Sequence, residues 1–403
     1  MKLNIENHYF CIDLNAIPQP VKAPRLVFID MARSIAILLM LEGHITGELL
    51  SPNYRALNTD WYNFWQHLHG YTSPLFFTIS GIVFAYLLTS PRETDVFWKN
   101  TRVRKGFKRV FELMLWGYLL QLHLRNLISC WLDGSSYQTD WLMAFHVLQS
   151  IGVAIFLILV LFGFSKWSKL HFYYWAFAGA FFMLLANGHQ EFYIKQQREW
   201  VAAGIQSQVI YRPEHWPKLF QNFFFGQYSD FSFIRFSGYT LFGAGLGHLL
   251  RTHERHAMRY GVSFIAVLLG YILVRDAYYI LWGLDFVLNQ LGVQQGNVQL
   301  CNKDALIGLG YVLMLLGVLV LINRWVVFKD NIFLRMGQNT LLIYIVHVML
   351  IYEGLLGYGL PLRSWSSNFS PLQSWGVSGL IIIGFFLMVW LWTNRDRWFL
   401  FKK

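Results

Sequence analysis

The chain has 403 residues, of which 55% are hydrophobic, 18% are aromatic and only 14% are charged. Soluble domains carry about 25% charged residues, so this composition excludes an ordinary soluble domain and indicates an integral membrane protein. The formal net charge of +11 does not indicate a nucleic-acid partner, because the basic residues lie in short loops between apolar segments, where membrane topology places them.

Apolar segments of about 20 residues, the length that crosses a bilayer, recur along the chain. They predict an all-α, polytopic membrane protein with about ten transmembrane helices, at residues 26–49, 71–90, 107–126, 141–164, 171–187, 233–250, 261–283, 305–323, 337–355 and 374–393. Of the 33 lysines and arginines, 22 fall in the tails and in alternate connections on one side. The positive-inside rule therefore predicts that both termini are cytoplasmic.

These segments form one membrane domain between two short tails. We expect a cytoplasmic tail at 1–24, the transmembrane domain at 25–395 and a short basic cytoplasmic tail at 396–403. The first tail has no apolar core, so no cleaved signal peptide is expected and the first helix would direct insertion. The membrane expected from this pattern is a bacterial inner membrane.

The longest connection, at about 188–232, is predicted to lie on the external side. Loops of this length are usually functional or disordered, and its many aromatic residues favour a lid that rests on the bilayer surface. Cys130 and Cys301 also fall in predicted external loops. In an oxidising compartment they could form a disulfide; otherwise they stay free.

Among the polar residues of the first predicted helix, Arg33 and His44 are costly to keep in hydrocarbon. Eleven residues at about 100° each bring both side chains to one face, separated by about 16 Å along the axis. A neutral imidazole can act as a general base, and a guanidinium can hold a phosphate or a polar carbonyl. The alternative is structural: Arg33 reaches the lipid headgroups and His44 makes one interhelical hydrogen bond.

Further polar residues lie mainly towards the outer halves of the predicted helices. We consider these as candidates for the acceptor side of a site: His67, His69, His146, Gln149, Arg275, Asp276, Asn339 and His347. The alternative for each is a structural role, either at the membrane interface or in a contact with a neighbouring helix. No Asp or Glu lies at ligand spacing from His67 and His69, so no metal is expected. Arg275 and Asp276 are adjacent on one predicted helix, so each would need a separate partner.

Four stretches of the sequence resemble one superfamily of membrane enzymes. Residues 25–40, RLVFIDMARSIAILLM, resemble the first helix of transmembrane acyltransferases, which include acyltransferase-3 proteins and heparan-α-glucosaminide N-acetyltransferase-like proteins. The stretches LFFTISG at 75–81, VLQSIG at 147–152 and GQNTLLIYIVH at 337–347 resemble the glucosaminide branch. The order of these motifs along the chain carries the resemblance more than any single one does.

The resemblance implies a reaction and roles for several residues. Arg33 and His44 match the family motif of Arg, ten residues and His. The resemblance implies that acetyl-CoA would enter from the cytoplasm. An amine or hydroxyl of a glycan, or of another small polar acceptor, would receive the acetyl group on the external side. The phosphates of acetyl-CoA would meet a basic cluster made of Arg102, Arg104, Lys105, Lys108 and Arg109. The same cluster is equally explained by the positive-inside rule.

Two departures from the family pattern keep other interpretations open. Ser34 stands where these families usually have Gly, and Ser150 stands where the glucosaminide branch usually has Arg. A member that has lost catalysis and only binds is one alternative. A transporter or flippase for a polar lipid-linked molecule is another, although the sequence shows no paired Gly- or Pro-broken helices. Direct transfer and an acyl-histidine intermediate are both compatible with His44.

Overall fold

The computed structural model describes residues 26–56, 59–90, 96–136, 144–184, 233–253, 260–292, 303–326, 330–360, 362–365 and 368–400, together with single residues at 142, 186, 216, 217, 220 and 231. The predicted tail at 1–24, most of the predicted lid at 188–232 and Cys301 lie outside the described residues. The lid and the Cys130–Cys301 pairing therefore stay predictions.

The described part of the chain is built from helices. They are α1 (Val27–Leu49), α2 (Pro52–Ala56), α3 (Asp60–Gly70), α4 (Thr72–Leu88), α5 (Thr101–Leu119), α6 (Leu124–Leu132), α7 (Val147–Ser168), α8 (Phe172–Leu184), α9 (Phe233–Thr252), α10 (Tyr260–Arg275), α11 (Ala277–Gln290), α12 (Lys303–Trp325), α13 (Ile332–Gln338), α14 (Thr340–Ile351), α15 (Leu362–Trp365) and α16 (Pro371–Leu400). A 3₁₀ turn (Phe97–Lys99) precedes α5. The only β-type pairing described is an isolated bridge between Leu50 and Phe369.

This architecture confirms an all-α membrane protein. Four described helices are long and apolar enough to cross a bilayer, or up to six when each of two bent helix pairs is taken as one span. The helix α1 is not among them, because Asp30, Arg33, Glu42 and Glu48 interrupt its apolar sequence. The number of ten spans and the cytoplasmic position of both termini stay predictions.

Two predicted spans are not continuous helices. The span at 261–283 ends at Arg275 as α10 and resumes at Ala277 as α11 with a bend of 78°. The span at 337–355 is likewise divided, because α13 and α14 meet at Asn339 with a bend of 81°. Neither bend is at a Gly or Pro, so these bends do not contradict the expectation that the chain has no paired Gly- or Pro-broken helices.

The helix α1 lies in the middle of the bundle and packs against α4, α12, α13, α14 and α16. Its buried side chains include Phe28, Ile37 and Leu41. Ser34 fixes its contact with α13: the Oγ atom donates to the Phe333 carbonyl oxygen at 2.6 Å and accepts from the Gly337 amide at 3.0 Å. A Cβ at Gly337 would overlap the Asp30 carbonyl oxygen, so the small residue permits this close approach.

The helices α4 and α9 also pack backbone against backbone. A Cβ added at Gly81 of α4 would overlap the carbonyl of Thr240, and one at Gly247 of α9 would overlap the carbonyl of Ile82. Within membranes, helices associate through such small residues because lipid offers no hydrophobic driving force between them. This contact holds α4 in place, and α4 supplies one wall of the site described below.

The substitution Gly247→Ala is expected to destabilise the protein by about 1–3 kcal/mol, since the added methyl group has no room between α4 and α9. Gly376→Ala is the matched control, because a Cβ at this position of α16 would meet no atom within 4 Å. The measurement is the midpoint of thermal unfolding in detergent, read by size-exclusion chromatography. Equal midpoints for the two variants would show that α4 and α9 are not in close contact.

Candidate functional site

A cavity of about 540 Å³ opens beside the C-terminal half of α1, and we call it the His44 cavity. Its walls come from α1, α3, α4, α5, the start of α7 and α14. The polar ring, amide and phenol groups on these walls belong to His44, His69, Gln121, His123, His146, Gln149, Tyr344, His347 and Tyr352. This volume lies in the range of about 300–1,000 Å³ that is usual for small-molecule sites.

His44 is held in the cavity wall by residues of a second chain segment. The Tyr352 hydroxyl lies 2.7 Å from His44 Nδ1, just after the end of α14. The ring of His347 stacks on that of His44 at 5.5 Å between centroids and 27° between planes. No hydrogen-bond partner of His44 Nε2 is seen among the described residues. With Nδ1 occupied by Tyr352, Nε2 is the nitrogen available to a bound molecule.

Glu42 and His69 form a second polar group beside His44. His69 Nδ1 lies 2.7 Å from the Trp65 carbonyl oxygen, which can only accept, so Nδ1 carries a hydrogen. His69 Nε2 contacts a carboxylate oxygen of Glu42. The same carboxylate accepts from Thr46 Oγ1 at 2.8 Å and from Trp65 Nε1 at 3.2 Å. The imidazole of His69 is therefore held between the Trp65 carbonyl group and the Glu42 carboxylate.

A second cavity of about 300 Å³ surrounds Arg33, and we call it the Arg33 cavity. It contains a second guanidinium, that of Arg109 on α5, whose Nη1 also lies 2.8 Å from Glu112. The remaining walls are largely apolar and include Ile79, Val83 and Leu113. Two cations at one end of an apolar pocket suit a ligand that is anionic at one end and apolar along its length.

The two cavities adjoin at three side chains. Phe76, Leu148 and Tyr344 line both the His44 cavity and the Arg33 cavity. Along α1, the eleven residues between Arg33 and His44 correspond to a rise of about 16 Å. The arrangement is therefore two chambers stacked along one helix, with a thin wall of one aliphatic and two aromatic side chains between them.

Many of the sequence candidates meet in these chambers. His44, His69, His146, Gln149 and His347 line the His44 cavity. Arg33 and Arg109 line the Arg33 cavity. His146 and Gln149 lie together at the start of α7, where the Gln149 Oε1 atom accepts from the His146 amide at 3.3 Å.

Other candidates lie elsewhere. Arg104, Lys105 and Lys108 are exposed on α5, Arg102 is half-buried there, and these four line neither cavity. His67 is exposed and packs edge-on against Tyr71. His67 likewise lines neither cavity.

The break between α10 and α11 corrects the interpretation of Arg275 and Asp276. We expected each to need a separate partner, but Arg275 Nε lies 3.6 Å from Asp276 Oδ1, because the bend turns the neighbouring side chains towards each other. The Arg275 side chain is 68% exposed. Neither residue lines either cavity.

Asn339 likewise lies outside both cavities. Its Nδ2 atom donates to the Arg335 carbonyl oxygen at 2.8 Å, at the junction of α13 and α14. Asn339 is the residue at which the direction changes between α13 and α14, so Asn339 and His347 do not lie on one straight helix. Only His347 of this pair reaches the His44 cavity.

Three residues of the site were missed in the sequence. Glu42 is an acid in an apolar helix two residues before His44, which was a usable signal. Tyr352 and Gln121 gave none, because each reaches the site only through the packing of its segment against α1 or α7. Among the described residues no cluster of three or more metal-ligating side chains occurs, and the expectation of a metal-free reaction stays a prediction.

The two departures from the family pattern are both engaged in hydrogen bonds. Ser34 links α1 to α13 as described above. Ser150, one residue after Gln149, donates from Oγ to the carbonyl oxygen of Phe231, which also lines the His44 cavity. Both serines therefore have structural partners close to the two chambers.

Comparison with known families gives one match. The model of the heparan-α-glucosaminide N-acetyltransferase catalytic domain matches residues 25–274, more than half of the chain. No curated protein matches the sequence. The matched part includes Arg33, His44 and Gln149, whereas His347 and Tyr352 come from the segment that follows it. The resemblance seen in the sequence motifs is thereby confirmed.

The pairing of Glu42 with His69 is expected to stabilise the contact between α1 and α3. Glu42→Ala and His69→Ala should each destabilise the protein by about 1–3 kcal/mol, because each leaves a partly buried partner unsatisfied. The double variant should lose less stability than the sum of the losses in the two single variants. Thermal unfolding of the four proteins measures this coupling. His67→Ala, two residues before His69 and exposed, is the control and should be near neutral. Additive losses would show that the two side chains do not interact.

Proposed function

Because this chain belongs to the heparan-α-glucosaminide N-acetyltransferase family, we propose that it moves an acetyl group from cytoplasmic acetyl-CoA to an amine or hydroxyl of a glycan or other polar acceptor on the external side. The family and the apolar helices make it a multi-pass membrane acetyltransferase. The observation that carries the finer proposal is the pair of stacked cavities, with Arg33 in one and His44 in the other.

The Arg33 cavity is proposed to receive the donor. Arg33 and Arg109 supply guanidinium groups for a phosphate or for the amide carbonyls of the pantetheine arm. The exposed basic residues Arg104, Lys105 and Lys108 on α5 would meet the nucleotide phosphates outside the cavity, with Arg102 beside them. The apolar walls suit the methylene part of the arm. A thioester carried past the wall of Phe76, Leu148 and Tyr344 would arrive at His44.

His44 is proposed to carry the proton transfer. When Tyr352 accepts from Nδ1–H, the lone pair of Nε2 is free to take the proton of the acceptor. The acceptor atom then attacks the thioester carbonyl carbon, the carbon–sulfur bond breaks, and the CoA sulfur receives the proton from Nε2. The same nitrogen could instead hold the acetyl group transiently, and both routes use the same neighbours.

Glu42 and His69 support this chemistry from the adjacent wall. His69 lines the same cavity as His44, and the Glu42 carboxylate contacts its ring. A protonated histidine beside the cavity can stabilise negative charge that develops on the thioester oxygen. We expect this pair to raise the rate without being indispensable.

Donor binding should depend on the two cavity arginines. Arg33→Gln and Arg109→Gln should each weaken acetyl-CoA binding about 10- to 100-fold, the loss expected when a charge-assisted contact is removed. Isothermal titration of the purified protein in detergent measures this. Lys303→Gln, which is exposed at the start of α12 and lines neither cavity, is the matched control and should bind nearly as wild type. If wild type binds no CoA, the acetyltransferase proposal fails, and transport becomes the better account of the two bent helix pairs.

Turnover should depend on His44 and on its orientation by Tyr352. His44→Gln should lower kcat by about 10²–10⁴-fold, as loss of a general base does, with acetyl-CoA binding retained. Tyr352→Phe should lower kcat by about 10–100-fold with little change in KM, since Nδ1 loses its partner while the ring remains. Steady-state release of CoA with a saturating acceptor measures both. Full activity of folded His44→Gln would contradict the proposed role.

A further inference from the structure

Two buried amides in the wall of the His44 cavity have fixed and opposite orientations. Gln121 Nε2 donates to the Ala144 carbonyl oxygen at 2.9 Å, so Gln121 must offer its Oε1 atom on the other side. Gln149 Oε1 accepts from the His146 amide at 3.3 Å, so Gln149 must offer its Nε2 atom. These hydrogen bonds to the backbone therefore leave Gln121 with a free acceptor, Oε1, and Gln149 with a free donor, Nε2.

Both of these free atoms lack a partner in the described part of the chain. Gln121 is 5% exposed and Gln149 is fully buried, and the Oε1 atom of the first and the Nε2 atom of the second have no hydrogen-bond partner there. Buried polar groups are nearly always satisfied, and an orphaned one costs free energy. Two such atoms on the wall of one cavity point to a ligand that completes them.

Both amides lie near the end of α5. Gln149 packs on Gly117 of α5 so closely that a Cβ there would overlap its side-chain amide. Gln121 follows Gly117 by four residues, two residues beyond the end of α5, and both glutamines line the His44 cavity. A ligand in this cavity that accepts a hydrogen bond from Gln149 and donates one to Gln121 would satisfy both amides. Sugar hydroxyl groups, each of which can donate and accept, suit these two atoms.

The described wall of the cavity lacks carboxylate, ammonium and guanidinium side chains. None of its described residues is Asp, Glu, Lys or Arg, and its rings include Phe77, Phe231 and Tyr344. Glu42 lies behind His69 and is already engaged by His69, Thr46 and Trp65. An ammonium group brought into such a place would lose its water without gaining a carboxylate. A neutral sugar with aromatic rings against its C–H faces meets no such loss.

We propose that the acceptor is a hydroxyl group of an uncharged sugar, held between Gln121 and Gln149, and that the product is an O-acetyl ester. This inference rests on the proposed acetyl transfer and narrows it. The sugar oxygen attacks the thioester carbonyl carbon and forms the ester bond, and its proton goes to His44. The carbon–sulfur bond breaks, and the departing CoA sulfur takes that proton, so nothing beyond acetyl-CoA and the sugar is consumed.

The test compares two acceptors that differ in one group, methyl glucoside and methyl glucosaminide, with purified protein and radiolabelled acetyl-CoA. Mild alkali cleaves esters and leaves amides, so it identifies the product. Wild type should acetylate methyl glucoside with a kcat/KM at least 10-fold higher and give an alkali-labile product. Gln121→Glu, which keeps the shape and adds a carboxylate, should shift the ratio of the two acceptors at least 10-fold towards the aminosugar.

Gln121→Met is the matched control for that variant. It removes the amide without adding charge, so it should lower transfer to methyl glucoside about 10-fold and leave the ratio unshifted. Acetyl-CoA binding by each variant shows that it is folded.

Three outcomes would overturn the inference. An alkali-stable amide on the aminosugar as the preferred wild-type product would overturn the hydroxyl assignment and leave acetyl transfer standing. Acetylation of neither sugar, with acetyl-CoA bound and CoA released, would overturn the sugar assignment alone. Failure of wild type to bind acetyl-CoA would overturn the proposed function and this inference with it.

Discussion

The organisation of this protein depends on satisfying the polar groups of α1 inside an apolar bundle. A membrane helix can keep such groups only when other segments supply their partners. Ser34 binds the backbone of α13, Glu42 is held by α3 and His44 by the residue after α14. Each partner comes from a different segment, so these contacts fix the position of α1 relative to three separate elements, and the two cavities lie in the spaces that remain.

What the sequence predicted well was local to a helix. The relation of Arg33 to His44 follows from residue spacing and helical geometry alone, and the structure gives each a cavity of its own along one helix. The bounds of α1, α4, α9 and α12 also follow from runs of apolar residues, whose ends are marked by polar or turn-forming sequence. The order of the motifs identified the family, because several weak motif resemblances in the same order over most of the chain are more specific than any one of them.

What the sequence did not predict depends on contacts between segments. Hydropathy measures whether residues tolerate lipid but not the direction of the helix, so the bends at Asp276 and Asn339 were read as continuous spans. Glu42 was missed because its partner His69 lies 27 positions further on, in another helix. Tyr352 follows α14 in a stretch with no motif, and only the packing of α14 against α1 brings it to His44. Pairings of this kind are properties of the folded state rather than of any window of sequence.

The thin wall between the cavities also bears on the membrane that surrounds the protein. If the two cavities were joined into one water-filled path that reached both faces of the membrane, protons and ions could run down their gradients. Phe76, Leu148 and Tyr344 put a short apolar barrier at the place where the pockets meet. Narrow apolar constrictions exclude water and so block conduction. In the proposed reaction, an acetyl group would pass this point while the apolar barrier keeps the membrane from being discharged.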